Sequence, residues 1–130
     1  MTVVADASVV SALLMGQGLE SDWARSQLAG VRMVAPHLMP VEVMSLMRRA
    51  VSAGQFSAHE AVMAVQDLGM LSVEYHEPVP VLERIWELRA NVTAYDATYV
   101  ALAEVLDAPL VTLDRRLARA SGPRCAFVTP

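Results

Sequence analysis

At 130 residues, with 55% hydrophobic and 18% charged residues, the chain is long enough for one core and too apolar for a disordered segment. No run approaches the roughly 18 apolar residues that span a bilayer, and Asp6 interrupts the apolar stretch at the N-terminus, so a cytoplasmic protein without a membrane segment is expected. Its positive charges are all arginine, ten against fourteen acids for a net −4, and the absence of lysine excludes a P-loop, a receiver domain and a dehalogenase-like phosphatase.

Thr2 to Ala5 is a short β-branched, apolar run ending at Asp6, after which Val9, Val10, Leu13 and Leu14 repeat at helical spacing. A buried strand therefore feeds a helix. Gly16-Gln17-Gly18 marks a loop, and a second helix over 19–29 carries Leu19, Trp23 and Leu28 on its apolar side. A brief strand at 33–35 runs into Pro36, and a third helix over 40–53 has Pro40 in its first turn, where the missing N–H costs nothing. Ser57 followed by Glu60 is a capping box that opens a helix through Val62, Met63, Val65 and Leu68. A strand at 71–75 comes next, and Pro78 and Pro80 precede a helix to about residue 89. Thr93 and Asp96 open a helix over 94–106, residues 110–113 form a strand ending at Asp114, 115–120 a short helix and 124–128 a last strand. Strands alternating with helices give an α/β fold: one domain over residues 1–130, with a parallel sheet of about five short strands flanked by helices on both faces.

In open parallel sheets, ligands collect beyond the carboxyl ends of the strands, where the strand order reverses. Asp6 and Asp114 each end a predicted strand, and Glu42 and Asp96 each sit in the first turn of a predicted helix. Taken singly, each acid has an ordinary structural role, as a helix cap or as a complement to the helix dipole. Their surroundings argue for more. Val-Val-Ala-Asp-Ala-Ser and Ala-Tyr-Asp-Ala-Thr-Tyr place acids among apolar and small neighbours with no adjacent base, and only Asp114 is followed directly by arginines. Two carboxylates 4 Å apart repel by roughly 4 kcal/mol at an effective dielectric near 20, so a cluster of them calls for a cation. An all-oxygen set without His or Cys selects a hard ion such as Mg²⁺ or Mn²⁺, which can neutralise a phosphodiester and activate an attacking water. Ser8 and Thr112, two residues from Asp6 and Asp114, are auxiliary hydroxyls to that site or ordinary helix-entry and strand residues.

With these residues in place, the chain resembles the PIN-domain family and, within it, the VapC-like toxins of bacterial toxin–antitoxin pairs. The resemblance rests on Val-Val-Ala-Asp-Ala-Ser, Pro-Val-Glu-Val-Met, Val-Thr-Ala-Tyr-Asp-Ala-Thr-Tyr and Leu-Val-Thr-Leu-Asp-Arg-Arg-Leu in that order. Pro36 and Pro40 bracket His37 ahead of the glutamate, a departure from the pattern. The resemblance implies a Mg²⁺- or Mn²⁺-dependent endoribonuclease with Asp6, Glu42, Asp96 and Asp114 as the catalytic and metal-holding acids and Thr112 as a neighbouring hydroxyl. It also implies an RNA substrate, a cognate antitoxin covering the site, and a homodimer. Two other functions fit the acids: a PIN-like module that binds RNA or a protein without cutting, and a Mg²⁺-dependent nuclease acting on DNA, since carboxylates see only phosphate.

The remaining candidates carry less. His37, His59 and His76 form no HExxH pattern, and Gly16-Gln17-Gly18 lacks the third glycine of a dinucleotide fingerprint. Arg89, Asn91, Arg115, Arg116 and Arg119, with Arg48 and Arg49, are the candidate RNA contacts; the alternative for the arginines is a solvated helix face or ion pairs to Glu83 and Glu87. Cys125, among apolar neighbours and without a second cysteine, reads as structural, and the methionines as core with a share in a dimer surface.

Overall fold

Val3, Val4 and Ala5 are at most 2% exposed, and successive strand side chains point to opposite faces, so β1 (Thr2–Ala5) is covered on both sides. In the computed structural model, which describes residues 1–130, β1 pairs in parallel with β2 (Arg32–Pro36) on one edge and β4 (Leu110–Val111) on the other. Strand β3 (Val73–His76) extends the sheet beyond β2, and β5 (Phe127–Val128) extends it beyond β4. The order is β3-β2-β1-β4-β5, all parallel, so the direction of travel across the sheet reverses between β1 and β4.

Helices α1 (Ala7–Met15) and α2 (Leu19–Leu28) connect β1 to β2, and α3 (Met39–Ser52) and α4 (Ala58–Met70) connect β2 to β3. The chain then returns through α5 (Leu82–Glu87), flanked by 3₁₀ turns, and α6 (Ala94–Leu106) to β4; α7 (Arg115–Ala118) leads on to β5. Right-handed crossovers that travel in opposite directions put their helices on opposite faces. Accordingly α1 packs with α2, α3 and α4, while α6 lies across β1, β2 and β4 with α5 outside it. Every residue of α6 from Ala97 to Leu102 is at most 5% exposed, which makes it the most deeply seated helix.

Element order and fold class follow the sequence reading; several details differ for identifiable reasons. Leu19 is 88% exposed, because α2 turns Ser21, Ala24 and Leu28 inward and Trp23 only partly, and the buried Ser21 hydroxyl donates to the Ala12 carbonyl. Strand β4 stops at Val111, since the Leu113 N–H donates to the Ser8 hydroxyl. Strand β5 starts only at Phe127 because the Arg124 N–H is taken by Glu104. Arg84 also grips Glu104, through Nε and Nη2 at 2.7 and 3.1 Å, and pairs with Glu87, whereas Glu83 has no ion pair. The helix expected up to residue 89 breaks into α5 between 3₁₀ turns at Val79–Val81 and Leu88–Ala90. The Ser57–Glu60 capping box forms as expected. Cys125 is half-buried, and burial with the Glu104 charge pushes its thiol up to about 11, as suits a structural residue.

Candidate active site

The strand reversal between β1 and β4 brings Asp6 and Asp114 together, and each caps a helix with one carboxylate oxygen. Asp6 Oδ1 accepts the Val9 N–H at 3.1 Å and the Ser8 hydroxyl at 2.5 Å; Asp114 Oδ1 accepts the Arg116 and Leu117 N–H groups at 2.9 and 3.1 Å. The second oxygen of each lies outside the cap. Fully buried Thr112 accepts the Asp114 N–H at 2.9 Å, and its hydroxyl stands 3.4 Å from that of Ser8. The Ser8 proton is committed to Asp6, and the Thr112 hydroxyl faces the Asp6 carboxylate as well as Ser8. Ser8 and Thr112 thus tie the ends of β1 and β4 together through a short hydroxyl relay.

The other two acids arrive on helices. Glu42 lies in the first turn of α3, which starts at Met39 with Pro40 in its opening turn, so the prolines around His37 end β2 without displacing the helix. Asp96 lies in the first turn of α6, where the Thr93 hydroxyl caps the Asp96 N–H at 3.1 Å. All four acids line one cavity of about 660 Å³, together with Ser8, Ser45, Arg49, Tyr95 and Tyr99. No three of the chain's acids, histidines or cysteine stand together at direct metal-ligating spacing, so the four carboxylates surround the cavity instead of meeting at a point.

None of the four acids has an arginine or histidine within 4 Å, whereas Asp22, Glu74, Glu87 and Glu104 all do. Burial pushes the Asp6 carboxyl above the usual range, against the opposing pull of the Ser8 and Thr112 hydroxyls and the Val9 N–H. Burial also raises Glu42, helped by the Asp96 and Asp6 charges and opposed by the Tyr99 hydroxyl. Asp96 is raised by burial and by Asp114, with the Thr93 hydroxyl in opposition. In these three acids burial therefore disfavours the anion, and no arginine or histidine within 4 Å offsets that cost.

The predicted RNA contacts divide. Asn91 and Arg116 line a second cavity, of about 400 Å³, whose wall includes Asp96 and Asp114 and which therefore adjoins the acid cavity. Arg89, Arg115 and Arg119 line neither: Arg89 stacks 4.7 Å over the Trp86 ring and donates to its carbonyl, and Arg115 donates to the Pro130 carbonyl. Arg49 is the one cation that lines the acid cavity. Tyr99, Ser45 and Tyr95 escaped the sequence reading. Spacing contained a signal for Tyr99, which stands three residues after Asp96 and so on the same face of α6; Ser45 stands likewise three residues after Glu42.

Strand order, cavity position and lining define an α/β domain with an all-carboxylate site at its switch point. The chain belongs to the PIN-domain family, whose family model matches residues 3–123. It is 41% identical over 123 residues to VapC ribonuclease Mb0985 of Mycobacterium bovis, covering 95% of this chain and 94% of that protein. It is 42% identical over 123 residues to ribonuclease VapC1 of Mycobacterium tuberculosis, covering 94% and 92%. Among solved structures, Mycobacterium tuberculosis VapC20, a sarcin-ricin loop cleaving toxin, matches with a TM-score of 0.74 at 18% identity, over 98% of this chain and 99% of that one. PAE2754 from Pyrobaculum aerophilum matches at 0.68 with 23% identity, over 98% and 83%. At these identities the structural matches speak to the fold.

The uncompensated acids give stability a distinctive pH dependence. A carboxyl whose folded pKa is raised holds its proton better in the native state, so its contribution is fully present at low pH and is lost as pH rises through the folded pKa. Asp6, Glu42 and Asp96 act in this sense; Glu60, held down by Ser57, Glu74, held down by Arg32, and Glu104, held down against its burial by Arg84 and Arg124, act in the opposite one. Asp96→Asn in EDTA is therefore expected to match or exceed the parent at pH 7, by something on the order of 1 kcal/mol. The advantage should close as the pH falls and Asp96 protonates in the parent. Thermal melts taken from acid to neutral pH measure this; a variant less stable than the parent at neutral pH would make Asp96 a structural anchor.

Proposed function

We propose that the protein is a metal-dependent endoribonuclease, the toxin of a type II toxin–antitoxin pair, which cuts RNA phosphodiesters at the acid cavity. The observation that carries this reading is the convergence of Asp6, Glu42, Asp96 and Asp114 on one cavity with no cation within 4 Å of any of them. Similarity to VapC ribonucleases over more than nine-tenths of the chain supports it.

The donor set fits a hard divalent cation, Mg²⁺ or Mn²⁺: all oxygen, partly desolvated and without a competing base. Such ions retain several waters and need only one or two direct carboxylates, which suits acids spread around a cavity. Asp6, Asp96 and Asp114 would hold it with Glu42. Bound there, the ion supplies neutralisation of the phosphodiester and a more acidic attacking water. The protein's own groups do the rest. Ser8 and Thr112 fix the orientation of Asp6 and the approach of Asp114. Arg49 beside the acids and Arg116 beyond Asp114 stand where phosphates of an RNA strand crossing both cavities would pass, and Asn91 offers an amide to a base or ribose in the smaller one. Purified protein freed of any partner is expected to cut single-stranded or looped RNA with Mg²⁺ or Mn²⁺ and to stop in EDTA; cutting that ignores EDTA, or that runs on DNA alone, contradicts the reading.

A homodimer and a cognate antitoxin complete the proposal. Met39 and Met47 are core, but Met44, Val62, Met63 and Val65 lie exposed on neighbouring α3 and α4, where Met44, Val62 and Val65 line an apolar groove. An apolar surface of this kind supports a protein partner. Sedimentation at micromolar concentration should give a dimer, and a clean monomer would refute that part.

A further inference from the structure

The Tyr99 side chain is 2% exposed and belongs to the helix that also delivers Asp96, one turn earlier. Its ring packs in the core, yet its hydroxyl emerges at the acid cavity and donates to Glu42 Oε1 at 2.6 Å, across 57 residues of sequence. The backbone of Ala7, next to Asp6, also faces this hydroxyl. One phenol oxygen therefore stands where α1, α3 and α6 meet, and these three helices carry or follow three of the four acids.

Glu42 has three rotatable bonds, sits on α3 and accepts no other side-chain or backbone hydrogen bond. Without an anchor it can swing toward solvent, away from the other carboxylates that repel it. The geometry points to Tyr99 as the positioning residue for Glu42: its hydroxyl occupies one carboxylate oxygen, fixes the rotamer and leaves Oε2 free for the shared cation site. The phenol suits this role chemically, since a tyrosine hydroxyl carries one proton to donate and this one is aimed at Oε1 at 2.6 Å. Phenylalanine fills the same core space but cannot donate. With its one proton given to Glu42, Tyr99 acts through that carboxylate.

This inference rests on the metal-dependent reading above, and the experiment separates the two. Mn²⁺ binding to the whole chain is measured by titration calorimetry without RNA, and RNA cleavage separately, for the parent, Tyr99→Phe, Glu42→Ala and the double variant. A group that orients a metal-holding side chain is worth about 10–100-fold in metal affinity or activity. Tyr99→Phe is expected to weaken Mn²⁺ binding and lower kcat by about 10-fold each, with KM for RNA little changed. In the Glu42→Ala background it should have no further effect, because the effect runs through the carboxylate. Parent-like Mn²⁺ affinity in Tyr99→Phe overturns the inference, as does an equal loss in both backgrounds, which would make Tyr99 a packing residue. If Tyr99→Phe loses its fold, Glu42→Asp, which withdraws the carboxylate from the hydroxyl with its charge intact, is measured instead: Mn²⁺ binding about 10-fold weaker is expected, and parent-like affinity overturns the inference. A parent that binds no Mn²⁺ overturns both readings together. A parent that binds Mn²⁺ but spares RNA defeats the ribonuclease reading alone, and the calorimetry still decides Tyr99.

Discussion

Like charge crowded into a partly desolvated space is the constraint on which the site depends. Asp6, Glu42 and Asp96 are all pushed toward protonation by burial, and no arginine or histidine approaches them within 4 Å although the chain has ten arginines to spend. Outside the cavity Glu104 is the one acid that is not exposed, and it receives two guanidinium hydrogen bonds and a backbone N–H. The contrast within one molecule is what makes the acid cavity a site and not a surface accident. Protein interiors do not hold unpaired carboxylates together for stability.

The fold resolves the problem of assembly by giving most of these acids a second, local role. Asp6 and Asp114 are pinned as helix caps by hydrogen bonds to Oδ1, and the Ser8–Thr112 pair fastens the two strand ends to each other. Asp96 rides on a first turn that Thr93 caps, and Glu42, whose helix starts without a side-chain cap, is the one reached by Tyr99. Cap and ligand, which looked like competing explanations for an aspartate at a strand end, are compatible because a carboxylate has two oxygens.

Much of this was legible in the sequence because its signals are local. The strand run that ends at Asp6, a proline in a first turn and a Ser57–Glu60 capping box each report on a few adjacent residues, and all three hold in the structure. What the sequence hid depends on distant partners. Residues 112–113 and 124–126 look like strand but lie outside β4 and β5, with the Leu113 and Arg124 N–H groups taken by Ser8 and Glu104. Leu19 looks like core, but small Ser21 and Ala24 take the inner face. Tyr99 reads as one more aromatic on a buried helix until Glu42 is seen beside it. The place of Arg89 is hidden for the same reason, since nothing local says that its guanidinium lies over Trp86.

The central claim, that the acids are clustered to hold a cation, is tested most directly by thermal melts of the parent and Asp6→Asn across a Mn²⁺ titration. Asn can still cap α1 through its side-chain oxygen, so the fold should survive the change. A ligand that binds only the folded state stabilises it by mass action, so the parent should gain steadily with Mn²⁺ and Asp6→Asn should gain clearly less, from a starting melt in EDTA no lower than the parent's. A parent indifferent to Mn²⁺, or an Asp6→Asn variant that melts well below it in EDTA, would contradict the account.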